Sequence, residues 1–412
     1  MNLRVNKERL VAEIDGLAEF SDAEPPAVTR VVFSDADLQA RAWVKAKCAE
    51  AGLIVREDAV GNMFARWNGS DLSAAAVGTG SHIDAIPNAG KYDGVVGVLG
   101  GLEAIRTLQR SGFQPKHPIE LLMFTSEEPT RFGIGCLGSR LLSGMMSAEA
   151  SRKLADGKGA SLEQIRREAG FAGELEDVRL PRGYHKAFVE LHIEQGPILE
   201  REHIPLGVVS RIAAPASLGI VVEGEGGHAG GVLMPDRRDA LCAAAELILE
   251  TERAARTSGA IDTVATVGIC DVFPGVVNSI PAKVRLSVDV RDTSLDRRNR
   301  VIRRIEEFCR TIESSRQLRI RTECLNADAP ADCHPAVVDA LTEACRKHEL
   351  HFLPMTSRAY HDSLFMAYLA PVAMLFIPCR NGYSHRPDEY ASPDDIAAGV
   401  LVLAETLAAL AS

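Results

Sequence analysis

The sequence predicts an α/β fold with a largely parallel central sheet, interrupted by a smaller α+β domain of ferredoxin-like order. Short apolar runs alternate with helical stretches through most of the chain, the pattern of strands that exchange with helices across a sheet. The middle of the chain breaks that pattern and reads strand, helix, strand, strand, helix, strand. A chain of 412 residues also exceeds what one hydrophobic core usually organises, so two domains are expected.

Main-domain strands are expected at 74–77, Ile119–Phe124, 187–193 and 373–377, each followed within a few residues by a cluster of polar side chains. In open α/β sheets ligands collect beyond the carboxyl ends of the strands, so these clusters mark where a site should form. The second pattern runs through a strand at 218–223, a helix at 237–256, strands at 264–269 and 284–291, a helix over Leu295–Arg316 and a strand at 318–323. It defines an insertion over 213–330 and leaves 1–212 and 331–412 to make up the main domain. Inside it the charge run at 297–307 carries Val301, Ile302 and Ile305, with Phe308 following, at helical spacing, and reads as one amphipathic helix with a solvated outer face.

Charged residues make up 25% of the chain and hydrophobic residues 46%, with a mean hydropathy near zero, the profile of a soluble globular protein. A formal net charge of −10 without a long basic cluster argues against a nucleic-acid partner. The first ten residues lack the apolar core of a signal peptide, and no later run is long and apolar enough to span a bilayer. The expectation is a cytoplasmic protein with no membrane partner. The nine cysteines are scattered singly and are expected to be reduced and mostly buried.

The polar clusters carry the chemistry. The first is GTGSHID (78–84), followed by GKYDG (90–94) and an apolar helix from Val95. His82 offers an imidazole at a strand end, and Asp93 offers a carboxylate able to bridge two cations. Asp84 is placed to orient His82 from behind. The competing reading of this cluster alone is a turn with an N-capping Asp and a buried polar His. The second cluster follows Ile119–Phe124 and presents Glu127 and Glu128 side by side. Neighbouring residues at a strand end point in different directions, which assigns Glu128 to metal and Glu127 to proton transfer. In the third, ELHIEQGP (190–197), a strand delivers His192 before a Gly-Pro turn; in the fourth, GYSHRPDE (382–389), His385 sits in a loop. Imidazole and carboxylate donors without thiolate suit Zn²⁺, Mn²⁺ or Co²⁺.

These motifs, together with GGHAGGVLMPDRRDA (226–240) and VNSIPAKVRLSVDVRD (277–292), resemble the hydantoinase/carbamoylase branch of the zinc-peptidase-like amidohydrolases over essentially the whole chain. Its members act on N-carbamoyl-L-amino acids, allantoate or ureidoglycolate. The resemblance implies a zinc-peptidase-like catalytic domain with an inserted dimerisation and lid domain, and hence a homodimer joined through 213–330. It implies two divalent ions per subunit, of which Mn²⁺ is favoured and Zn²⁺, Co²⁺ or Ni²⁺ are compatible. Their ligands would be His82, Asp93 as the bridge, Glu128, His192 and His385, with Glu127 as the base. It further implies that His228 reaches the active site of the partner subunit to stabilise an oxyanion, while Asn278 and Arg291 hold a substrate carboxylate. The planar fork of Arg suits that task. Gln195, Ser357, Tyr360 and His361 are further substrate-side candidates.

Two departures narrow the expected substrate. Relatives acting on carbamoyl amino acids usually carry His-Ala-Gly-Thr-Thr-Pro-Met where this chain has HAGGVLMP from His228, and Ser-Gly-Ala-Gly-His-Asp where it has SRAYHD from Ser357. Both departures, with FIPCRNGYSHRPDEYASPDD (376–395), look most like the ureidoglycolate-cleaving members, and Tyr360 in place of a glycine should narrow the pocket for a short substrate. The expected reaction is hydrolysis of the ureido C–N bond of a small ureido acid, ureidoglycolate, to glyoxylate, ammonia and carbon dioxide, as in purine nitrogen breakdown. N-carbamoyl-L-amino acids, allantoate and β-ureidopropionate are the alternative substrates. A non-catalytic metal-dependent binding module is the rival from another class, and the presence of Glu127 beside all five ligands speaks against it.

Overall fold

A computed structural model describes residues 2–412 and divides the chain into two compact units. One comprises Met1–Ser210, Asp332–Met355 and His361–Ser412, and the other comprises Arg211–Ala331 with Thr356–Tyr360.

The first unit is organised by a sheet whose strands run, from one side, Leu206–Ile212, Val372–Ile377, His185–Ile193, Ala76–His82, Ile119–Phe124, Met63–Trp67 and Ile54–Glu57. From Val372–Ile377 to Ile119–Phe124 the pairing is parallel. The strands outside these pair antiparallel with their neighbours. The sheet is therefore mixed, and the parallel character expected of it is confined to its centre. The cause is the connections: parallel neighbours need long crossovers that cover the faces, whereas Ile54–Glu57 and Met63–Trp67 are joined by a short turn.

Strands Ala76–His82, Ile119–Phe124 and Val372–Ile377 are buried along their whole length, and His185–Ile193 is buried but for Lys186, which is why they read as largely apolar runs. Expected to end at residue 77, the His82 strand continues through Gly78 and Gly80 to His82 itself. These glycines mark close packing, not a turn. A Cβ on Gly80, whose φ is +144°, would stand 1.9 Å from the Leu122 carbonyl oxygen, and one on Gly78 would stand 2.8 Å from the Phe188 ring. The helix Val95–Arg110 lies equally close: a Cβ on Gly97 would meet the Leu191 carbonyl oxygen at 2.5 Å. That helix is buried without a break from Val95 to Leu108, with Pro393–Ala411 beside it.

The second unit has the predicted order. Strands Ala214–Glu223, Val264–Phe273, Lys283–Asp292 and Arg319–Ala327 alternate with helices Ala240–Arg256 and Leu295–Arg316. In space the strands run Val264–Phe273, Lys283–Asp292, Ala214–Glu223, Arg319–Ala327, antiparallel throughout. This is the ferredoxin-like arrangement, with the helices packed on the sheet through Leu218, Ile220, Leu247, Val288 and Ile305. The charge run is indeed part of one amphipathic helix, although Arg298 is buried and donates to the main-chain oxygens of Ala214 and Pro215, both at 3.4 Å. A separate two-stranded antiparallel ladder, Gly227–His228 against Ser279–Ile280, stands apart from the main sheet. Among the described residues no helix is long and apolar enough to cross a membrane. Of the cysteines, Cys48, Cys136, Cys309, Cys333, Cys345 and Cys379 are buried, and Cys242, Cys270 and Cys324 are exposed.

The packing at Gly80 yields a stability prediction. Gly80→Ala forces a methyl group into the Leu122 backbone at a φ that side chains rarely adopt, and is expected to cost about 3 kcal/mol or more. Thermal denaturation should show a melting temperature lower by several degrees; an unchanged melt would mean that the two strands can separate without penalty.

Candidate metal centre

The first unit gathers the polar clusters at the carboxyl ends of its parallel strands. His82 ends its strand, Glu127 and Glu128 follow Ile119–Phe124, His192 is the penultimate residue of His185–Ile193, and His385 lies in the loop after Val372–Ile377. Asp93 lies two residues before the start of the buried helix Val95–Arg110. The cap position there is Gly94, with no side-chain cap bond, so the Asp93 carboxylate is not consumed as a helix cap.

Asp93 is the hub. Its Oδ1 lies 3.2 Å from Nε2 of His192 and 3.6 Å from Nε2 of His82, and its Oδ2 lies 3.4 Å from Nε2 of His385. His385 Nε2 is in turn 3.0 Å from Oε1 of Glu128. Two donor groups result, His82–Asp93–His192 and Asp93–Glu128–His385, and they share Asp93. Glu127 stands beside them, with Oε2 3.8 Å from Nε2 of His82.

The rings are oriented for cations. Nδ1 of His82 lies 3.0 Å from the main-chain oxygen of Asp84, and Nδ1 of His192 lies 2.9 Å from that of Ile193. A carbonyl oxygen only accepts, so Nδ1 carries the hydrogen and Nε2 is turned inward, as in metal-ligating histidines. A lone pair facing a carboxylate oxygen at these distances is favourable only with a proton or a cation between them. The donor set therefore fits divalent metal.

Electrostatics point the same way. Burial opposes charge on His82, but Glu127, Asp93 and Asp84 outweigh it and hold the imidazole well above its ordinary range. His192 is raised by Asp93 and Glu190 against its burial. The hydrogen bond to Glu128 pushes His385 up to about 9. Burial holds the Glu127 carboxyl well above its usual range, with Glu128 adding to it and His82 opposing. For the three histidines the common cause is neighbouring negative charge, which attracts protons and attracts a divalent ion more strongly.

The surrounding residues fix this cluster. The carboxylate of Asp84 stands 3.7 Å from Nδ1 of His82 and accepts the main-chain N–H groups of Glu127 and Glu128 at 3.2 and 3.1 Å. Asp84 thus orients His82 through its backbone and the glutamate turn through its side chain. Gln195 donates from Nε2 to Asp93 Oδ2 at 2.6 Å. His361 is buried with its ring edge-on to His192, 4.5 Å between centroids. Glu190, two residues before His192 on the same strand face, accepts from Ser81 Oγ at 2.7 Å and from the Ser363 hydroxyl and N–H at 2.5 and 3.1 Å. Cys136 donates its thiol to Glu127 Oε1 at 3.4 Å. Cys136 did not stand out in sequence, and Glu190, which opens the third cluster, carried no assigned role there, although a lone carboxylate inside the apolar strand AFVELHI was a signal.

The remaining candidates belong to the second unit. His228 is exposed on the short two-stranded ladder, where Ser279 is its register partner and the Ala229 N–H donates to the Asn278 carbonyl oxygen at 2.9 Å, so the fold sets His228 and Asn278 side by side. Arg291 lies near the end of Lys283–Asp292 and donates from Nε to Asp289 Oδ1 at 2.8 Å. Ser357 is buried and donates to the Ala359 carbonyl oxygen at 3.0 Å, and the Tyr360 hydroxyl donates to Asp328 Oδ2 at 3.1 Å.

A mixed α/β sheet that gathers imidazoles and carboxylates around one shared aspartate at its strand ends defines an α/β metallohydrolase. The chain belongs to peptidase family M20/M25/M40, a metal-dependent family, which it matches over residues 78–409. It is 53% identical to ureidoglycolate hydrolase from Arabidopsis thaliana, over 99% of this chain and 87% of that protein. It is 37% identical to an N-carbamoyl-L-amino-acid amidohydrolase from a Pseudomonas species, over 98% of each. In three dimensions it superposes on the crystal structure of AtUAH in complex with glyoxylate with a TM-score of 0.93, 53% identity and coverage of 99% of this chain and 98% of that one. AtUAH has also been crystallised in complex with (S)-hydroxyglycine. The resemblance drawn from the motifs is borne out, and the chain is a hydrolase of this family.

Gly94 supplies a test of the centre. Its φ is +65°, and a Cβ there would lie 2.5 Å from Nε2 of His82. Gly94→Ala is expected to strain the turn and displace the His82 ring, lowering the metal-free melting temperature modestly and weakening divalent-cation binding at least about tenfold, read by thermal melting and titration calorimetry on the folded, metal-stripped protein. Unchanged affinity would mean that His82 Nε2 does not face a cation.

Proposed function

We propose that the protein is a dinuclear amidohydrolase that cleaves the ureido C–N bond of a small ureido acid, ureidoglycolate. Its products would be hydroxyglycine, which loses ammonia to give glyoxylate, and a carbamate, which decays to carbon dioxide and ammonia. The carrying observation is the position of Asp93 between two donor groups with the Glu127 carboxyl alongside. The substrate assignment is supported by the 53% identity to ureidoglycolate hydrolase and by the small molecules, glyoxylate and (S)-hydroxyglycine, bound in the AtUAH complexes.

His82, Asp93 and His192 would hold one ion and Asp93, Glu128 and His385 the other. Divalent metal there supplies Lewis acidity and lowers the pKa of water. Glu127 takes the proton from the attacking water and delivers it to the departing nitrogen, as its position beside the cluster allows. The Cys136 thiol on Oε1 leaves Oε2 turned toward His82. Asp84 keeps both glutamates in register by accepting their N–H groups.

The inserted unit would join two copies of the chain and bring His228 of the partner subunit to the carbonyl oxygen, with Asn278 and Arg291 on the substrate carboxylate. In support, Val264–Phe273 forms one edge of its sheet, and Ile269 and Phe273 on that strand are 53% and 41% exposed. An edge strand with exposed apolar side chains is suited to pairing with another copy.

Glu127→Gln is expected to retain bound metal and to lose at least about 10²-fold in turnover, the usual scale for a positioned acid–base group. Ammonia release from ureidoglycolate, allantoate, N-carbamoyl-L-amino acids and β-ureidopropionate, each with added Mn²⁺ or Zn²⁺, measures both turnover and preference. Faster hydrolysis of an N-carbamoyl amino acid would replace the substrate assignment, and an active Glu127→Gln would move the base elsewhere. The shared site has its own test. Mixed Glu127→Gln and His228→Ala subunits should regain up to roughly a quarter of wild-type activity, since about half of randomly exchanged dimers are mixed and each holds one intact site. No recovery after subunit exchange demonstrated with a label would confine His228 to its own subunit.

A further inference from the structure

Glu389 follows His385 by four residues, is 5% exposed, and faces the loop that carries Asp93. Its Oε1 accepts the main-chain N–H groups of Tyr92 and Asp93 at 2.8 and 3.0 Å. Its Oε2 lies 3.0 Å from the Ser384 hydroxyl oxygen. The same hydroxyl is in hydrogen-bond contact with Asp93 Oδ2, the oxygen that also receives Gln195. Glu389 therefore holds the backbone of Asp93 directly and reaches its carboxylate through one side chain. Space for it exists because residue 90 is glycine: a Cβ there would lie 2.4 Å from the Cβ of Glu389. By itself a second buried carboxylate beside Asp93 is unfavourable, since like charges repel in a low dielectric, and it becomes favourable when a divalent cation neighbours both.

We propose that Glu389 is a positioning residue for the cation cluster: it ties the loop carrying Asp93 to the loop carrying His385 and sets the shared carboxylate within reach of both donor groups. The proposal rests on the reading of Asp93 as a shared ligand. Its test is Mn²⁺ titration of the metal-stripped full-length protein by calorimetry, beside thermal melting without metal, for wild type, Glu389→Ala, Glu389→Gln and Ser384→Ala.

Wild type is expected to bind two ions. Glu389→Ala should bind at least about tenfold more weakly, the scale of a lost partner behind a ligand, while its metal-free melting stays within a few degrees of wild type. Glu389→Gln keeps an amide oxygen for the two N–H donors and should recover to within about threefold of wild type. Wild-type affinity in Glu389→Ala overturns the proposal. So does a metal-free melting temperature that falls in step with affinity and is not rescued by Gln, which marks a general brace. Where Glu389→Ala does not fold, Ser384→Ala decides, with affinity about tenfold lower expected and unchanged affinity overturning the proposal. A wild type that binds one ion overturns the shared-ligand reading and the proposal with it, whereas two tight ions in both wild type and Glu389→Ala overturn the proposal alone.

Discussion

Asp93 presents one carboxylate oxygen to His82 and His192 and the other to His385, and much of the first unit is arranged around that placement. The two histidines come from neighbouring parallel strands, whose spacing sets the separation of the rings. His385 comes from a loop and has no such constraint. Main-chain carbonyls hold the rings of His82 and His192, whereas His385 is half-exposed and positioned by contact with Glu128 and Asp93. One side of the cluster is thus built on rigid elements and the other depends on loops, and the polar bonds of Ser384, Gln195 and Glu389 concentrate on the loop side.

Close approach of backbone is the second condition. Gly78, Gly80 and Gly97 let the central strands and the buried helix approach until no Cβ could fit, and Gly94 leaves space beside the His82 ring. Around the cluster several non-glycine residues take left-handed backbone conformations, with φ of 56° at Ser126, 54° at Gln195 and 60° at His385. Such conformations are sparsely populated for residues with a Cβ and persist where surrounding bonds over-determine them. Ser126 leads into the two glutamates, Gln195 donates to Asp93, and His385 faces Asp93, so the strain lies where side chains must be aimed away from an ordinary turn.

The inserted unit has a different basis. Its sheet alternates buried and partly exposed positions along Ala214–Glu223 and Lys283–Asp292, with helices covering one face. Its outer strands are largely exposed. An antiparallel sheet tolerates this because only one face needs to be buried.

Much of this was legible in the sequence because it depends on local pattern. Apolar runs located the central strands, with Ile119–Phe124 placed to the residue, and the strand-helix order of the insertion followed from periodicity alone. The polar clusters after the strands, above all the paired Glu127 and Glu128, pointed to the strand ends where His82, Asp93, His192 and His385 come together with them. The antiparallel margins of the sheet, the continuation of the His82 strand through two glycines, and the side of Asp84 on which its carboxylate lies were decided by the tertiary structure. So were the bonds of Glu190, Cys136, Ser384 and Glu389 to their partners. Sequence records which side chains can donate, accept or pack, and with what period they recur. Which partner each one meets is set by elements brought together from tens to hundreds of residues apart, as when Glu389 receives the backbone of Asp93.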